Sequence, residues 1–194
     1  MLRGPNLWSR HTALEAIVSC DESERSIDLI PQFETKIRER FPQLGSMRRG
    51  GHNEVLSLAH ALEHAALGLQ AQAGCPVTFS RTVQTIDVGV YQVVVEYIEE
   101  VVGRMAFDFG FALIQATLND APFDLAAALS ELDALYEDVR LGPSTGSIVD
   151  AAIQRNIPYR RMTEGSMVQF GWGSKQKRIQ AAETSDTSAI AEAI

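Results

Sequence analysis

The chain has 194 residues, enough for one domain with a real core or for one domain and part of a second. Its 45% hydrophobic and 22% charged residues match the balance of a globular protein and not that of a disordered one. The net charge of −8 weighs against nucleic acid as a main partner, since phosphate binding calls for a basic face. No apolar run approaches a bilayer span and Met1 to Trp8 lacks a signal-peptide core, so a cytosolic, membrane-free location is expected.

In chain order, residues 13 to 19 read as a strand and Gln32 to Phe41 as a helix closed by Pro42. Gly45 to Asn53, with its paired arginines and paired glycines, reads as a loop delivering a helix over about 54–72 that Gly74 stops. Strands are expected near 76–83 and 89–97, then a long helix to Leu118. Asp124 suits the N-cap of a helix over 125–138. Gly142 to Ser147 reads as a turn whose Ser or Thr caps a helix to about Asn156. An anion site there is the lesser expectation, because the loop lacks the lysine of a phosphate-binding loop.

Beyond Pro158 the texture changes, and a β-hairpin followed by a capped helix from Thr184 is expected. The pattern ends inside that helix, which reads as a cut from a longer chain, and the composition shift suggests that roughly the last 35 residues open a second domain. The fold class is α+β: mixed helices and a small sheet, with no internal repeat. Cys20 and Cys75 stand in no metal spacing and read as buried apolar residues without a disulfide.

One constellation carries chemistry by itself. His60-Ala-Leu-Glu63-His64 is an HxxEH pattern, and on a helix residues three and four apart share a face. In zinc peptidases with this order the two imidazoles hold the metal and the glutamate activates its water, which would make His60 and His64 ligands and Glu63 the general base. A third ligand is then needed from a later element, and Glu96, Glu99 and Glu100 are the candidates. Acidic residues also favour a first helical turn through the helix dipole, and histidines on an amphipathic helix often make ordinary hydrogen bonds at a core boundary. Both readings stand at this point.

Several segments together resemble the N-terminal part of the cyanophycin synthetase family: Leu2-Arg-Gly-Pro-Asn-Leu-Trp8, His60 to His64 with Leu67-Gly-Leu-Gln70 behind it, Gly89-Val-Tyr-Gln-Val-Val94, Leu141 to Ile148, and most of Ser166 to Ile194. The resemblance implies an N-terminal domain over residues 1–161. It implies that 162–194 begin an ATP-grasp ligase domain as its first β-hairpin and helix. ATP and Mg²⁺ would be bound beyond this chain by a parent ligase that adds aspartate and arginine to the polymer cyanophycin.

For the N-terminal domain the resemblance implies polymer binding and, in some members, cleavage of the polymer into primers at a Zn²⁺ site. Such a site would use His60, His64, Glu63 and either Glu100 or Glu99. Arg48, Arg49 and Arg81 would meet polymer carboxylates, and Ser166 the growing end. The remaining ligase domains and further copies in a homo-oligomer are the expected partners. Gly68 stands where the family pattern leads one to expect glutamate, Ala59 where glycine, and Val83 where arginine. Those departures favour polymer anchoring over hydrolysis, so a catalytically silent scaffold is the alternative, with an independent zinc peptidase third.

Overall fold

The computed structural model describes residues 1–2, 6–9, 11–47, 55–163, 165–181 and 183–184. Arg48 and Arg49 lie outside them, as does the expected terminal helix past Thr184. The chain divides into two compact units, one of residues 1–2 and 12–136, the other of 3–11 and 137–194. The architecture is α+β, as the sequence reading held.

The first unit is built on a three-stranded antiparallel sheet in which β1 (Ala13–Ser19) and β2 (Ser80–Gln84) flank the central β3 (Val90–Glu96). β3 is Val-Tyr-Gln-Val-Val-Val-Glu, rich in the β-branched residues that pack on a pleated surface. Side chains alternate between faces, so the register groups Leu14, Ala16 and Val18 with Val95, Val93 and Tyr91 and with Ser80 and Thr82 on one face. Glu15, Ile17, Gln92, Val94, Arg81 and Val83 fall on the other.

Three helices complete the core of this unit: α1 (Phe33–Arg40), α2 (Leu58–Gln72) and α3 (Glu100–Leu118). Phe33 and Ile37 are the buried positions of α1, one turn apart, as an amphipathic helix requires. α2 and α3 run antiparallel at close range because Gly110 of α3 offers no side chain where it meets Leu62, Ala65 and Ala66. Gly103 does the same against Tyr97 and Gln70. α3 is the one described helix long and apolar enough to cross a membrane by length and composition. Its buried stripe, Val102, Gly103, Ala106, Gly110, Leu113 and Ile114, packs in the core of this unit.

The strand expected from residue 76 begins only at Ser80. The reason is Glu96, whose carboxylate accepts the backbone N–H of Thr78 and of Phe79 at 2.8 Å each, so those two N–H groups go to a side chain instead of a ladder. Likewise α2 starts at Leu58 and not at 54, because Ser57 takes the N-cap in extended conformation. α4 (Leu125–Val139) is capped by Asp124, which accepts the N–H of Ala127 at 2.9 Å, as expected.

In the second unit α5 (Pro143–Gln154) begins earlier than expected, with Gly142 at the N-cap and Pro143 in the first position, where the missing N–H of proline is harmless. Ser144 and Thr145 thus lie inside the helix and do not cap it. A four-stranded antiparallel sheet follows in the order β4 (Tyr159–Arg161), β5 (Met167–Phe170), β6 (Lys177–Gln180) and β7 (Glu183–Thr184). Val149 of α5 packs on Val168 and Ile179, with Leu141, Ile153, Tyr159 and Phe170 around them. β5 and β6 form the expected hairpin. The expected boundary after Arg161 falls between β4 and β5, which are paired in one ladder.

Candidate functional site

The HxxEH residues occupy the first two turns of α2, as the helical reading required. His60 and His64 are half-buried and lie on neighbouring turns of one face, while Glu63 between them is buried to 2% exposure. His60 faces the sheet, its ring edge-on to Tyr91 with centroids 5.7 Å apart and planes at 71°.

The imidazole of His60 is held from the other side by the helix start. Its Nδ1 accepts the backbone N–H of Ser57 at 3.1 Å and lies 2.9 Å from the Ser57 hydroxyl. Ser57 and His60 thus stand at the N-cap and third helical position, the relation of a capping box in which histidine replaces the usual Glu or Gln. Sequence reasoning passed over this. The signal was present as Ser-x-x-His directly before an apolar helical run.

The carboxylates proposed as third ligand lie elsewhere. Glu99 is the N-cap of α3 and Glu100 its first residue, and Glu100 is paired with Arg104 at 2.9 Å. α3 passes α2 with Gly110 beside Leu62 and Gly103 beside Gln70, so residues 99 and 100 belong to the C-terminal end of α2. Gln70 is about 9 Å further along the axis than His64, from the rise of 1.5 Å per residue. The charge of Glu99 accordingly acts on Cys75, just past that end, whose thiol is pushed up to about 12, chiefly by burial. Glu96, the third candidate, is 3% exposed and turned to the N–H groups of Thr78 and Phe79.

A zinc centre fits these residues only in part. Two imidazoles share a face, but among the described residues no group of three or more His, Cys, Asp or Glu side chains converges to hold a metal.

The expected polymer contacts are distributed differently. Arg81 is exposed on β2, an edge strand, and its row across the sheet is Arg81, Val94, Glu15, so one face carries both signs of charge. Gln92 donates a hydrogen bond to Glu15 on that same face. Ser166 is half-buried immediately before β5 in the second unit. Of the other basic groups, Arg38 pairs with Glu34, Arg40 with Asp120 and the carbonyl of Ala121, and Arg161 with the carbonyls of Gly165 and Val139.

Gly68 also finds a local explanation. A Cβ there would sit 3.2 Å from the ring of Phe41, which is fully buried, so this position faces the packed segment after α1.

Comparison with known proteins covers nearly the whole chain. It is 35% identical over 204 aligned residues to the cyanophycin synthetase of Geminocystis herdmanii. It is 34% identical to those of Trichormus variabilis over 204 residues and Synechocystis sp. over 208. Each alignment takes in 97% of this chain and 23% of the relative, so the chain spans about a quarter of the length of the proteins it matches. Residues 16–119, which include the second half of β1, the HxxEH helix, β2, β3 and α3, match the family described as the cyanophycin synthase-like N-terminal domain. With its alignment running in order from end to end against the N-terminal region of those synthetases, this chain belongs to the cyanophycin synthase-like N-terminal domain family.

Proposed function

We propose that this chain is a polymer-holding region of a cyanophycin-synthesising ligase, binding the aspartate–arginine polymer while other domains, which use ATP and Mg²⁺, add the residues. The observation that carries this reading is the row Arg81, Val94, Glu15 on one face of the first sheet, with Arg81 exposed, Glu15 half-buried and Val94 buried between them. A chain with one carboxylate and one guanidinium per repeat is complementary to a face bearing a guanidinium on one flanking strand and a carboxylate on the other, since Arg–carboxylate pairs form in either direction. The setting is cytoplasmic, and further copies of the chain in a homo-oligomer multiply the contacts by raising the effective concentration of the second site once the first is engaged. Arg48, Arg49 and Ser166 belong to the same proposal on sequence grounds.

Retention of the purified chain on insoluble cyanophycin tests it. Arg81→Glu places two carboxylates on the face and should reduce retention several-fold, with a dependence on salt concentration in the wild type that the variant loses. Equal retention of the two proteins would remove the assignment of this face.

A second reading, hydrolysis of the polymer at a zinc ion, is favoured by the shared face of His60 and His64. When bound there, zinc would supply Lewis-acid polarisation of a peptide carbonyl and an activated water, with Glu63 beside it. It requires that His60 give up its bond from Ser57 and that a third ligand join the pair; Glu100 and Glu99 would have to move to do so. Zinc content of the purified chain together with cleavage by wild type and Glu63→Gln decides between the readings.

A further inference from the structure

The start of α2 is buried, and a buried helix start must find partners for the N–H groups that have no carbonyl one turn earlier. Ser57 is 1% exposed and Ala59 fully buried, so water does not serve them. The Ser57 N–H goes to His60 Nδ1 at 3.1 Å. The Ala59 N–H lies within hydrogen-bond reach of the Cys20 thiol, which also meets the Ser57 side chain. Cys20 is 6% exposed and directly follows β1, so the helix start is closed by side chains from the helix and from the segment after that strand.

The proton positions follow from this arrangement. A backbone N–H is a donor in every state, so the ring nitrogen that meets it must present a lone pair. A neutral imidazole carries one proton, and with Nδ1 accepting, that proton sits on Nε2. A zinc ligand coordinates through a lone pair, and a histidine that binds through Nε2 normally carries its proton on Nδ1, donating it to an acceptor. His60 has the opposite arrangement. Tyr91, edge-on to the ring, packs against it from the sheet side.

We infer that His60 is the cap of α2, held with its proton on Nε2, and that the first histidine of HxxEH in this chain secures the helix start instead of ligating a metal. The inference goes beyond polymer binding, which stands whichever way it falls. It also explains why Ser-x-x-His precedes the apolar run, since at the third helical position of a capping box the side chain only has to accept one N–H.

Glutamine is the usual residue at that position, which gives a test that separates capping from ligation. In metal-free buffer, His60→Gln should melt within about a degree of wild type, while His60→Ala, which orphans the Ser57 N–H, should melt about 2–4 °C lower. Long-range proton–nitrogen correlation spectra of the wild-type chain should show the His60 proton on Nε2, and added zinc should leave the melting temperatures of wild type and His60→Gln equally unmoved. The inference is overturned if the spectra place the proton on Nδ1, if His60→Gln falls as far as His60→Ala, or if zinc raises the melting temperature of wild type and the rise vanishes in His60→Gln. The spectra are read on the unaltered protein, so a poorly folding variant does not leave the matter open.

Discussion

Glu96 shows how much structure one buried side chain sets. Its carboxylate holds the N–H groups of Thr78 and Phe79, its backbone N–H goes to the carbonyl of Phe79, and its carbonyl accepts from Gln70 on α2 at 2.9 Å. Removing the side chain deprives two part-buried N–H groups of a charged acceptor, each such bond being worth about 1.5–3 kcal/mol. Glu96→Ala should therefore lower the unfolding free energy by about 2–4 kcal/mol in urea titrations, and an unchanged midpoint would contradict the assignment. Cys75 makes a second residue-scale prediction. With its thiol pushed from 9.0 up to about 12 by burial, the folded chain keeps a proton that the unfolded chain loses as pH passes 9. The stability due to the buried thiol is present in full below pH 9 and falls as pH rises toward 12. Thiol-reactive probes at pH 9 should thus label Cys75 slowly in the folded chain and quickly after unfolding, and equal rates would show that the thiol is not buried.

Among elements, the strands and helices came through in the sequence wherever a pattern ran long enough: the strand over 13–19, the valine-rich strand of the first sheet, and the helix from Glu100 to Leu118 were all legible. What was not legible depended on contacts between distant residues. Nothing within residues 76–79 reveals that a glutamate seventeen or so positions on will take their N–H groups, and nothing in the Gly142–Ser147 turn fixes whether a serine or the glycine is the cap. The candidate site divides in the same way. That His60, Glu63 and His64 share a helix follows from spacing, whereas the placement of Glu99 and Glu100 at the far end of α2 follows from the direction in which α3 crosses it. That crossing depends on two glycines, and it can be tested. A Cβ on Gly103 would lie 2.6 Å from Cβ of Tyr97, which is 3% exposed. Alanine is normally the better helix former by about 1 kcal/mol. Gly103→Ala should nonetheless destabilise the first unit by about 1–3 kcal/mol as the packing is forced apart, measured by chemical denaturation. A gain in stability would mean that α3 can slide away from Tyr97 without loss.

At the scale of the whole molecule, the chain is two compact units that represent about a quarter of the length of the synthetases it resembles, 23% in each alignment. The resemblance was legible from segments spread along the entire sequence, which is why it carried further than the HxxEH pattern alone. The units supply a mixed-charge sheet face in one and a small sheet bearing the hairpin in the other, and neither gathers three metal-binding side chains among its described residues. The proposed polymer holding would need no reaction centre, because many weak, exposed ion pairs along a repetitive chain add through multivalency.

The most direct measurement is to incubate the purified chain with cyanophycin and zinc, without ATP, and to read both the protein retained on the polymer and the polymer length over time. The account predicts retention that falls with added salt and a polymer length that does not change. Failure of the chain to stay with the polymer, or shortening of the polymer that Glu63→Gln abolishes, would contradict it.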